Sequence, residues 1–465
     1  MSIYRPFLHI TPQKGWINDP NGFSYAFGQF HVFAQHNPYD TKWGPMHWLH
    51  FVSEDLVTFK EVGVALKPDK EYDNVFGCFS GSALEVNQQH YLLYTGAING
   101  VQQQCFAVSS DGIHYQKPYE NPLIGQDLLP EPYLVADFRD PYIFVRDQHY
   151  YMLVSARKKT GGSSILMYRS IDLIHYDYVG VTLNTEGSDE EMIECPTLFF
   201  DGDNVALMYS LQFKKSHEPH RFQNVHSTIY RLGELDFKSG QFIAKTPERE
   251  IDLGFDFYAP QTLTKDNKHY MIAWQNMWDR HYPSLVDGYV GQLTLVRELG
   301  IKGNQLVQSF VSSLSNYYEE NLLIEKQRQS DILIDIYQTN SYRLIIDMEI
   351  TDEVIISFVK DNSVMMTLNP TNKTIEFVRP QILNHDQSQA TKRVIPFNSV
   401  EGRIQLDIVV DNCSLEALID EGIEAFSMTF FTDSEHEVLI KSDANKPFYI
   451  HKFEYHSLKG GKHYE

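Results

Sequence analysis

The chain has 465 residues, 42% of them hydrophobic and 13% aromatic, and its formal net charge at pH 7 is −22. This length corresponds to two or three domains, and the acidic balance excludes proteins that bind nucleic acid or anionic membranes through basic surfaces, which favours a neutral small-molecule partner. We expect a cytoplasmic protein without disulfides or a membrane segment, because no apolar run reaches the roughly 18 residues that span a bilayer, no signal-like apolar core begins the sequence, and the four cysteines form no CxxC pair.

The first predicted strand covers residues 23–27 and follows the segment Trp16-Ile17-Asn18-Asp19-Pro20-Asn21-Gly22. Asp-Pro-Asn-Gly alone is typical of a turn, because Pro fixes φ and Asn-Gly tolerates positive φ. Apolar residues directly before the carboxylate indicate instead an acid at the end of a buried element, where functional groups are usually found.

A polar turn followed by a strand of aromatic and aliphatic residues occurs five times. Alignment of the copies on Phe30, His90, His149, Asn204 and His269 gives intervals of 60, 59, 55 and 65 residues. Each interval is long enough for four short strands, which is typical of propeller blades. The sequence therefore predicts a five-bladed β-propeller over residues 1–303.

The strands that enter these hairpins begin alike, and three of the five carry an acid beside a proline. Those acids are Asp19, Asp140 and Glu194. If the entering strands are the innermost ones, quasi-symmetry brings the three acids together at the mouth of the channel. The alternative is that they cap strand ends by accepting hydrogen bonds from free amides.

After the propeller the pattern changes. Leu306, Phe310, Leu314 and Tyr317 have helical spacing, so residues 304–325 are predicted to be a partly helical linker. Residues 326–465 contain alternating strands separated by turn residues, which indicates an antiparallel β-sandwich. This domain has no acid-Pro motif, so we expect it to support the propeller and to be a possible site of homo-oligomer formation. The whole chain is predicted to be all-β.

The motifs resemble those of glycoside hydrolase family 32, the β-fructosidases that include invertases, sucrose-6-phosphate hydrolases, inulinases and levanases. Family members contain a Trp-x-Asn-Asp-Pro-Asn-Gly box, an Arg-Asp-Pro box and a Glu-Cys box. The matching segments are residues 16–22, 35, 43–48, 79–82, 139–141, 194–195, 257–261 and 293–299. The resemblance implies a retaining β-fructofuranosidase built from a propeller and a C-terminal sandwich, without a cofactor.

The resemblance also implies the roles of individual residues. Asp19 would be the nucleophile, Glu194 the general acid/base, and Asp140 a transition-state stabiliser. The residues implied to line the fructose pocket are Trp16, Ile17, Asn18, Gln35, Trp43, Phe79, Ser80, Arg139, Tyr258 and Trp274. Trp43, Trp48 and Trp274 are alternatively core residues.

The chemistry requires that one carboxylate stays ionised while another arrives protonated. We expect neighbouring carboxylates to raise the pKa of Glu194 to about 6–7, and Arg139 to keep the adjacent Asp140 charged.

Several points stay open at this stage. The substrate would be sucrose, sucrose 6-phosphate or a fructan, and a fructosyltransferase would use the same acids. An inverting five-bladed pentosidase and a non-catalytic carbohydrate-binding propeller are further alternatives. Candidate cations for a phosphate are Lys214, Lys215, Arg221 and Arg280, each of which could also be an ordinary surface charge. No metal is predicted, because Pro219 interrupts the His217 to His220 pair.

Overall fold

The computed structural model describes residues 3–185, 191–336, 339–381, 390–396, 402–442 and 446–459. These residues form strands β1 to β33 and two short 3-10 helices, Pro283–Asp287 and Ser312–Tyr317. Within the described ranges, no helix has the length and apolar character that a membrane crossing requires. The prediction of an all-β protein is confirmed.

Five antiparallel sheets form the propeller. The first contains β1 (Gly15–Ala26), β2 (Gln29–Asn37), β3 (His47–Ser53) and β4 (Lys60–Leu66). The second contains β5 (Gly77–Val86), β6 (Gln89–Ile98) and β7 (Val101–Ser109). The third contains β8 (Tyr133–Arg146), β9 (His149–Lys158), β10 (Ser163–Ser170) and β11 (Asp177–Asn184).

The last two sheets follow in the same order. The fourth contains β12 (Ile193–Asp201), β13 (Asn204–Gln212), β14 (His226–Leu235), β15 (Phe242–Ala244) and β16 (Arg249–Glu250). The fifth contains β17 (Tyr258–Lys265), β18 (Lys268–Trp274), β20 (Arg297–Lys302) and β21 (Gln305–Phe310), and β19 (Tyr289–Val290) pairs in parallel with the start of β1. The second sheet has three strands rather than the expected four, because residues 116 and 124 pair with β7 only through isolated bridges.

The hairpin turns explain why the repeat was visible in the sequence. The turn between β5 and β6 places Asn87 and Gln88 at φ of 52° and 59°, and the turn between β17 and β18 places Asp266 and Asn267 at 52° and 60°. Two-residue turns of this kind need positive φ at both central positions, which favours Asn, Asp and Gly. A polar pair at positive φ is therefore the local signature of the second, third and fifth sheets, whereas the turn of the first sheet is Phe27-Gly28.

The first strands of the five sheets surround a common axis. β1, β5, β8, β12 and β17 contact one another in that order, and β17 in turn contacts β1. The expectation that the entering strands are the innermost ones therefore agrees with the structure. Trp48 is fully buried and donates its indole N–H to the Phe79 carbonyl at 3.1 Å, so it is a core residue.

The sandwich consists of two six-stranded sheets. The first has the order β22 (Tyr318–Gln329), β33 (Phe448–Leu458), β24 (Ser341–Glu349), β29 (Arg403–Asp411), β30 (Ser414–Ile419) and β31 (Glu424–Thr429). The second has the order β23 (Asp331–Asp335), β32 (His436–Ser442), β25 (Val354–Val359), β26 (Met365–Asn369), β27 (Thr374–Val378) and β28 (Lys392–Pro396). Their apolar faces form one core, in which Phe377 and Phe426 stack across the two sheets.

The partly helical linker predicted for residues 304–325 is mostly strand in the structure. Residues 305–310 form the outermost strand of the fifth sheet, residues 318–329 form the first strand of the sandwich, and only the 3-10 helix Ser312–Tyr317 lies between them. The spacing of Leu306 and Phe310 misled because positions i and i+4 share a face in a strand as well as in a helix. The alternating burial of β21 shows the period of two.

A buried network of charges joins the two domains. Arg297 of the propeller donates from Nη2 to Glu416 of the sandwich at 2.5 Å and from Nη1 to Asp252 at 2.9 Å. His9 bridges Asp411 and Glu416, at 2.8 Å and 3.0 Å. The side chains of Arg297, Glu416, His9 and Asp411 are all fully buried. These contacts fix the sandwich against the propeller.

Candidate active site

The first strands line a cavity of about 270 Å³ at their N-terminal ends. Its lining residues are Asn18, Asp19, Gln35, Trp43, Phe79, Ser80, Gln102, Asp137, Arg139, Asp140, Glu194 and Trp278. The structure therefore brings the three predicted acids together with Asn18, Gln35, Trp43, Phe79, Ser80 and Arg139.

Four other predicted pocket residues lie behind this lining. The Trp16 indole donates to Asn18 Oδ1 at 2.8 Å, and the Tyr258 hydroxyl donates to Glu194 Oε2 at 2.6 Å. Ile17 and Trp274 are fully buried. These residues orient the lining rather than contribute surface to the cavity, and for Trp274 the alternative of a core residue is the one that the structure supports.

A bulge in each first strand turns side chains toward the axis. The regular ladder is interrupted after Ile17, Phe79, Arg139, Glu194 and Tyr258. In the last three strands the next residue, Asp140, Cys195 or Ala259, has a positive φ of 64°, 48° or 51°. Bulges of this kind redirect side chains next to functional sites.

The bulge register corrects one expectation. Glu194 occupies the position of Arg139 in the preceding blade, whereas the position of Asp140 is filled by Cys195. The three acids therefore converge without being symmetry equivalents. This offset matters because it places the Glu194 carboxylate beside the Arg139 guanidinium.

Asp19 is held by two short hydrogen bonds. Ser80 Oγ donates to Oδ2 at 2.7 Å, and Asn18 Nδ2 donates to Oδ1 at 3.0 Å. Burial raises the pKa of Asp19, the two hydrogen bonds oppose this, and the nearby Glu194 charge adds to the increase. The carboxyl is thus fixed in orientation while its charged form is destabilised, which makes it reactive when ionised.

Asp140 lines the cavity but is almost fully buried. Its Oδ2 accepts the Cys195 backbone N–H at 2.9 Å, but the nearest Arg139 nitrogen is 4.0 Å away. Burial raises the pKa of Asp140 to about 7, against the opposing effect of Arg139 and with the help of the Glu194 and Asp19 charges. Arg139 favours the charged form of Asp140 as expected, but it does not outweigh burial, so Asp140 is not fully ionised at neutral pH.

Glu194, rather than Asp140, accepts the hydrogen bonds of the Arg139 guanidinium. Arg139 donates to Oε1 from Nε at 3.2 Å and from Nη2 at 2.9 Å, and Tyr258 donates to Oε2. Burial alone would raise the pKa of Glu194, but the Arg139 charge and the Tyr258 hydrogen bond outweigh it and lower the pKa below its usual range. The prediction that the pKa of Glu194 rises to about 6–7 is wrong for the free protein. Glu194 and Arg139 occupy equivalent positions in neighbouring blades, so the guanidinium lies beside the carboxylate and stabilises its charged form.

Three lining residues were not predicted. Gln102 Oε1 accepts from the Phe138 backbone at 3.0 Å, and Asp137 accepts from Arg139 at 2.8 Å and from Arg157 at 2.9 Å. Asp137 lies two residues before Arg139 on β8, and this alternation was an available signal. Gln102 and Trp278 belong to no motif in a single sequence.

The candidate phosphate cations do not line this cavity. Arg280 is buried and paired with Asp256 at 2.8 Å, which excludes it as a rim cation. Arg221 pairs with Glu250 at 3.0 Å, and Lys214 lies 3.3 Å from Glu248.

A group that could hold a metal occurs on the sandwich, away from the cavity. Among the described residues, the ligand atoms of Glu320, Glu454 and His456 lie within 4.8 Å of one another. The Lys452 ammonium is already 2.7 Å from Glu454. A cation there would compete with that ammonium.

The comparisons with known proteins agree with this geometry. Residues 9–309 match the model of the glycosyl hydrolases family 32 N-terminal domain, and residues 311–457 match that of the family 32 C-terminal domain. The sucrose-6-phosphate hydrolase of Escherichia coli is 30% identical over 452 residues, which cover 94% of this chain and 91% of that protein.

Two further relatives extend the comparison. The sucrose-6-phosphate hydrolase of Zymomonas mobilis is 36% identical over 331 residues, 67% of this chain but only 63% of that protein, which is less than two thirds of its length. The solved GH32 beta-fructofuranosidase of Bombyx mori superposes with a TM-score of 0.84 at 30% identity and covers 99% of this chain and 95% of its own. A variant of the Bombyx mori enzyme has also been solved in complex with sucrose. With both family models matched in order across nearly the whole chain, the protein belongs to glycosyl hydrolases family 32.

Proposed function

We propose that the protein is a retaining β-fructofuranosidase that cleaves terminal β-D-fructofuranosides, with sucrose or sucrose 6-phosphate as the substrate. The observation that carries this proposal is the convergence of Asp19, Asp140 and Glu194 on one cavity. The names of the relatives, sucrose-6-phosphate hydrolase and beta-fructofuranosidase, support the same substrate class.

Asp19 is the proposed nucleophile. Attack of its carboxylate on the anomeric carbon forms a fructosyl-enzyme ester, while Glu194 gives a proton to the departing oxygen. Water then attacks the ester with Glu194 acting as the base, so that the two inversions restore the original configuration. Ser80 and Asn18 fix the Asp19 oxygens during both steps.

The proton for the first step has to be accounted for. In the free protein the Arg139 and Tyr258 contacts favour ionised Glu194, whereas burial raises the pKa of Asp140 to about 7, so that Asp140 carries a proton in part of the molecules at neutral pH. Carboxyls this close titrate as one system rather than as independent groups. A fructosyl unit whose hydroxyls engage Arg139 would weaken its bonds to Glu194, and the proton would pass to Glu194 in the complex.

The test measures stereochemistry and substrate preference together. Proton NMR of the first-formed fructose should show the β-anomer, and kcat/KM should be compared for sucrose, sucrose 6-phosphate, 1-kestose and inulin. First-formed α-fructose would refute the retaining mechanism, and no turnover of any of the four would refute the enzyme class. A strong preference for inulin would indicate a fructan exo-hydrolase, and kestose formation at high sucrose would indicate a transferase. The cytoplasmic location and a homo-oligomeric state stay predictions from the sequence.

A further inference from the structure

The first sheet of the sandwich carries a cluster of metal-ligating side chains. The cluster consists of Glu320, Glu454 and His456, whose ligand atoms lie within 4.8 Å of one another. We propose that this cluster binds one divalent ion of the Zn²⁺ class and that the ion fastens the first strand of the sandwich to its last. The proposed site lies on the sandwich, so it stands or falls independently of the fructosidase activity.

The strand geometry brings the three ligands to one face of the sheet. Glu454 and His456 are two residues apart on β33, so their side chains share a face, whereas Phe453 and Tyr455 point into the sandwich core. Glu320 of β22 lies directly opposite His456 in the antiparallel ladder. Side chains at such positions have Cβ atoms about 5 Å apart. Two paired strands therefore present the ligands as a triangle on a fixed backbone.

A bulge beside the cluster holds Glu320 in this register. The ladder between β22 and β33 is shifted after Glu320 and resumes at Leu322, so Asn321 is the extra residue. The Asn321 side chain accepts the Ser457 backbone N–H at 2.7 Å. Because the bulge is anchored to β33, β22 cannot slip along its neighbour, and Glu320 stays beside His456.

The mixed donor set selects the kind of ion. Zn²⁺ binds an imidazole nitrogen and carboxylate oxygens at about 2.0–2.2 Å, which separates ligand atoms around a tetrahedral ion by about 3.5 Å. The cluster has to close by about 1 Å to reach this spacing, which a rotation of the exposed Glu320 side chain provides. Ca²⁺ and Mg²⁺ prefer six or more oxygen ligands, so one imidazole with two carboxylates, completed by water, favours Zn²⁺.

One cation already competes for the cluster. The Lys452 ammonium lies 2.7 Å from Glu454 Oε1, and His456 Nε2 lies 3.3 Å from Glu454 Oε2. Glu325 is opposite Lys452 on β22, so the ammonium has a second carboxylate to move to. A bound ion therefore displaces Lys452 without leaving its charge unpaired.

A second cation near the cluster is already engaged. Arg343 of β24 lies opposite His456 on the other side of β33. Its guanidinium donates to both Asp407 oxygens, at 2.8 Å and 2.7 Å, and to Ser315 Oγ at 3.2 Å. Lys452 is thus the competitor that has to move when the ion binds.

The cluster lies where the chain enters the sandwich. β22 begins directly after the 3-10 helix Ser312–Tyr317 and is an edge strand, with β33 as its partner in the sheet. The Lys459 backbone N–H donates to the Tyr317 carbonyl at 2.9 Å, which closes the same corner. An ion that binds only the folded arrangement stabilises it. The proposed role of the site is therefore structural.

The test titrates the untagged, full-length protein with ZnCl₂ after treatment with a chelator. Isothermal titration calorimetry should detect one ion per chain with a dissociation constant below about 100 μM. The melting temperature should rise by about 2–4 °C at a saturating zinc concentration. The absence of zinc binding, or an equal affinity for Ca²⁺, which would indicate an ordinary acidic patch, would overturn the proposal.

Variants locate the bound ion. Glu320→Gln and His456→Gln should each weaken zinc binding at least tenfold, because each removes a ligand, and should abolish the rise in melting temperature. His451→Gln is the matched control: His451 lies on the same strand and pairs with Glu349 at 2.7 Å, but belongs to no group of three ligands among the described residues. Unchanged zinc binding in both ligand variants would refute the assignment.

The competing ammonium gives a test of opposite sign. Lys452→Gln removes a positive charge next to the ion, so zinc should bind about tenfold more tightly than to the wild type. If the cluster were only a network of salt bridges, this variant would melt lower and gain no affinity for zinc. Such a result would overturn the proposal. Since every readout is binding or melting, a failure of the proposed fructosidase activity would leave these results unaffected.

Discussion

The molecule contains two clusters of buried charges built from the same residue types. At the cavity, Asp19, Asp140 and Glu194 share a single guanidinium, that of Arg139. Between the domains, Asp252, Asp411 and Glu416 share two cations, because Arg297 is joined by His9. The interdomain carboxylates therefore have more positive charge beside them than the cavity carboxylates have.

The pKa values follow from this difference. Burial acts to raise the pKa of Asp411 and Glu416, yet their cationic partners lower both below the usual range. In the cavity only Glu194 is lowered, whereas Asp19 and Asp140 are raised. Matched charges stabilise the assembly of the domains, and unmatched carboxyls remain available for proton transfer and attack.

The largest expected effect is the loss of the nucleophile. Asp19→Ala should lower kcat/KM on sucrose by about 10⁴-fold or more, because no other group forms the covalent intermediate. Residual activity within tenfold of the wild-type value would contradict the assignment.

A matched Asp19→Asn variant separates activity from stability. The raised pKa of Asp19 means that its ionisation at neutral pH opposes folding, so the variant should be equally inactive but melt no lower than the wild type at pH 7. A large drop in melting temperature would show that the carboxylate stabilises the fold, as in the interdomain cluster.

Glu194→Ala should have a smaller effect that depends on the substrate. On sucrose we expect a loss of about 10² to 10⁴-fold in kcat, the usual contribution of general acid catalysis. An activated aryl fructoside, whose leaving group departs without protonation, should lose much less, and azide should restore its turnover by intercepting the intermediate. The same loss on both substrates, without rescue, would assign Glu194 a role in binding instead.

A substitution in the interdomain cluster should lower the stability of the protein without changing its catalytic activity. Arg297→Met leaves Glu416 and Asp252 without their guanidinium, which typically costs about 3–5 kcal/mol of unfolding free energy. Chemical denaturation followed by fluorescence measures this loss. Below the unfolding transition, kcat/KM on sucrose should stay within about twofold of the wild type. A selective loss of activity at unchanged stability would contradict the division between the clusters.

The smallest expected effect is the contribution of His9 to the unfolding free energy, which depends on pH within a defined range. Burial alone would lower its pKa, but the hydrogen bonds to Asp411 and Glu416 raise it to about 9. A raised pKa stabilises the fold fully below about 6.5, and this stabilisation is lost as the pH rises through 9. The unfolding free energy should therefore decrease by about 3 kcal/mol between pH 6.5 and 9.5. His9→Gln should remove most of this decrease, and an equally steep decrease in that variant would assign it to other groups.

The fold was predictable because local patterns repeat. Turn pairs such as Asn87-Gln88 mark three of the five propeller hairpins, and the sandwich strands alternate with a period of two. The end of the propeller was missed because the apolar residues of β21 also have a spacing that fits a helix. In the structure β21 pairs with β20 through a turn that contains Gly303. The three-stranded second sheet depends on pairing between distant residues, which a local pattern does not encode.

The composition of the site was more predictable than its electrostatics. The motif acids and Ser80 lie at the cavity as expected, although Glu194 is offset by one register position from Asp140 of the preceding blade. Adjacency of Arg139 and Asp140 in the sequence suggested a pair, but neighbouring residues of a strand point in different directions. The bulge register decides that Arg139 meets Glu194 instead. Trp278 was missed because a single tryptophan on a loop carries no periodic signal.

The bulges also bear on how this scaffold could be re-engineered. Cys195 and Ala259 stand outside the cross-strand ladder at one level of the channel, but both are buried and have positive φ, so a larger side chain there would strain the backbone. The second blade is equally restricted, because a Cβ at Gly81 would come within 1.9 Å of the Leu93 carbonyl oxygen. The bulges that position the acids are therefore also the places where this scaffold tolerates least change, and a redesign of the site has to keep their backbone residues.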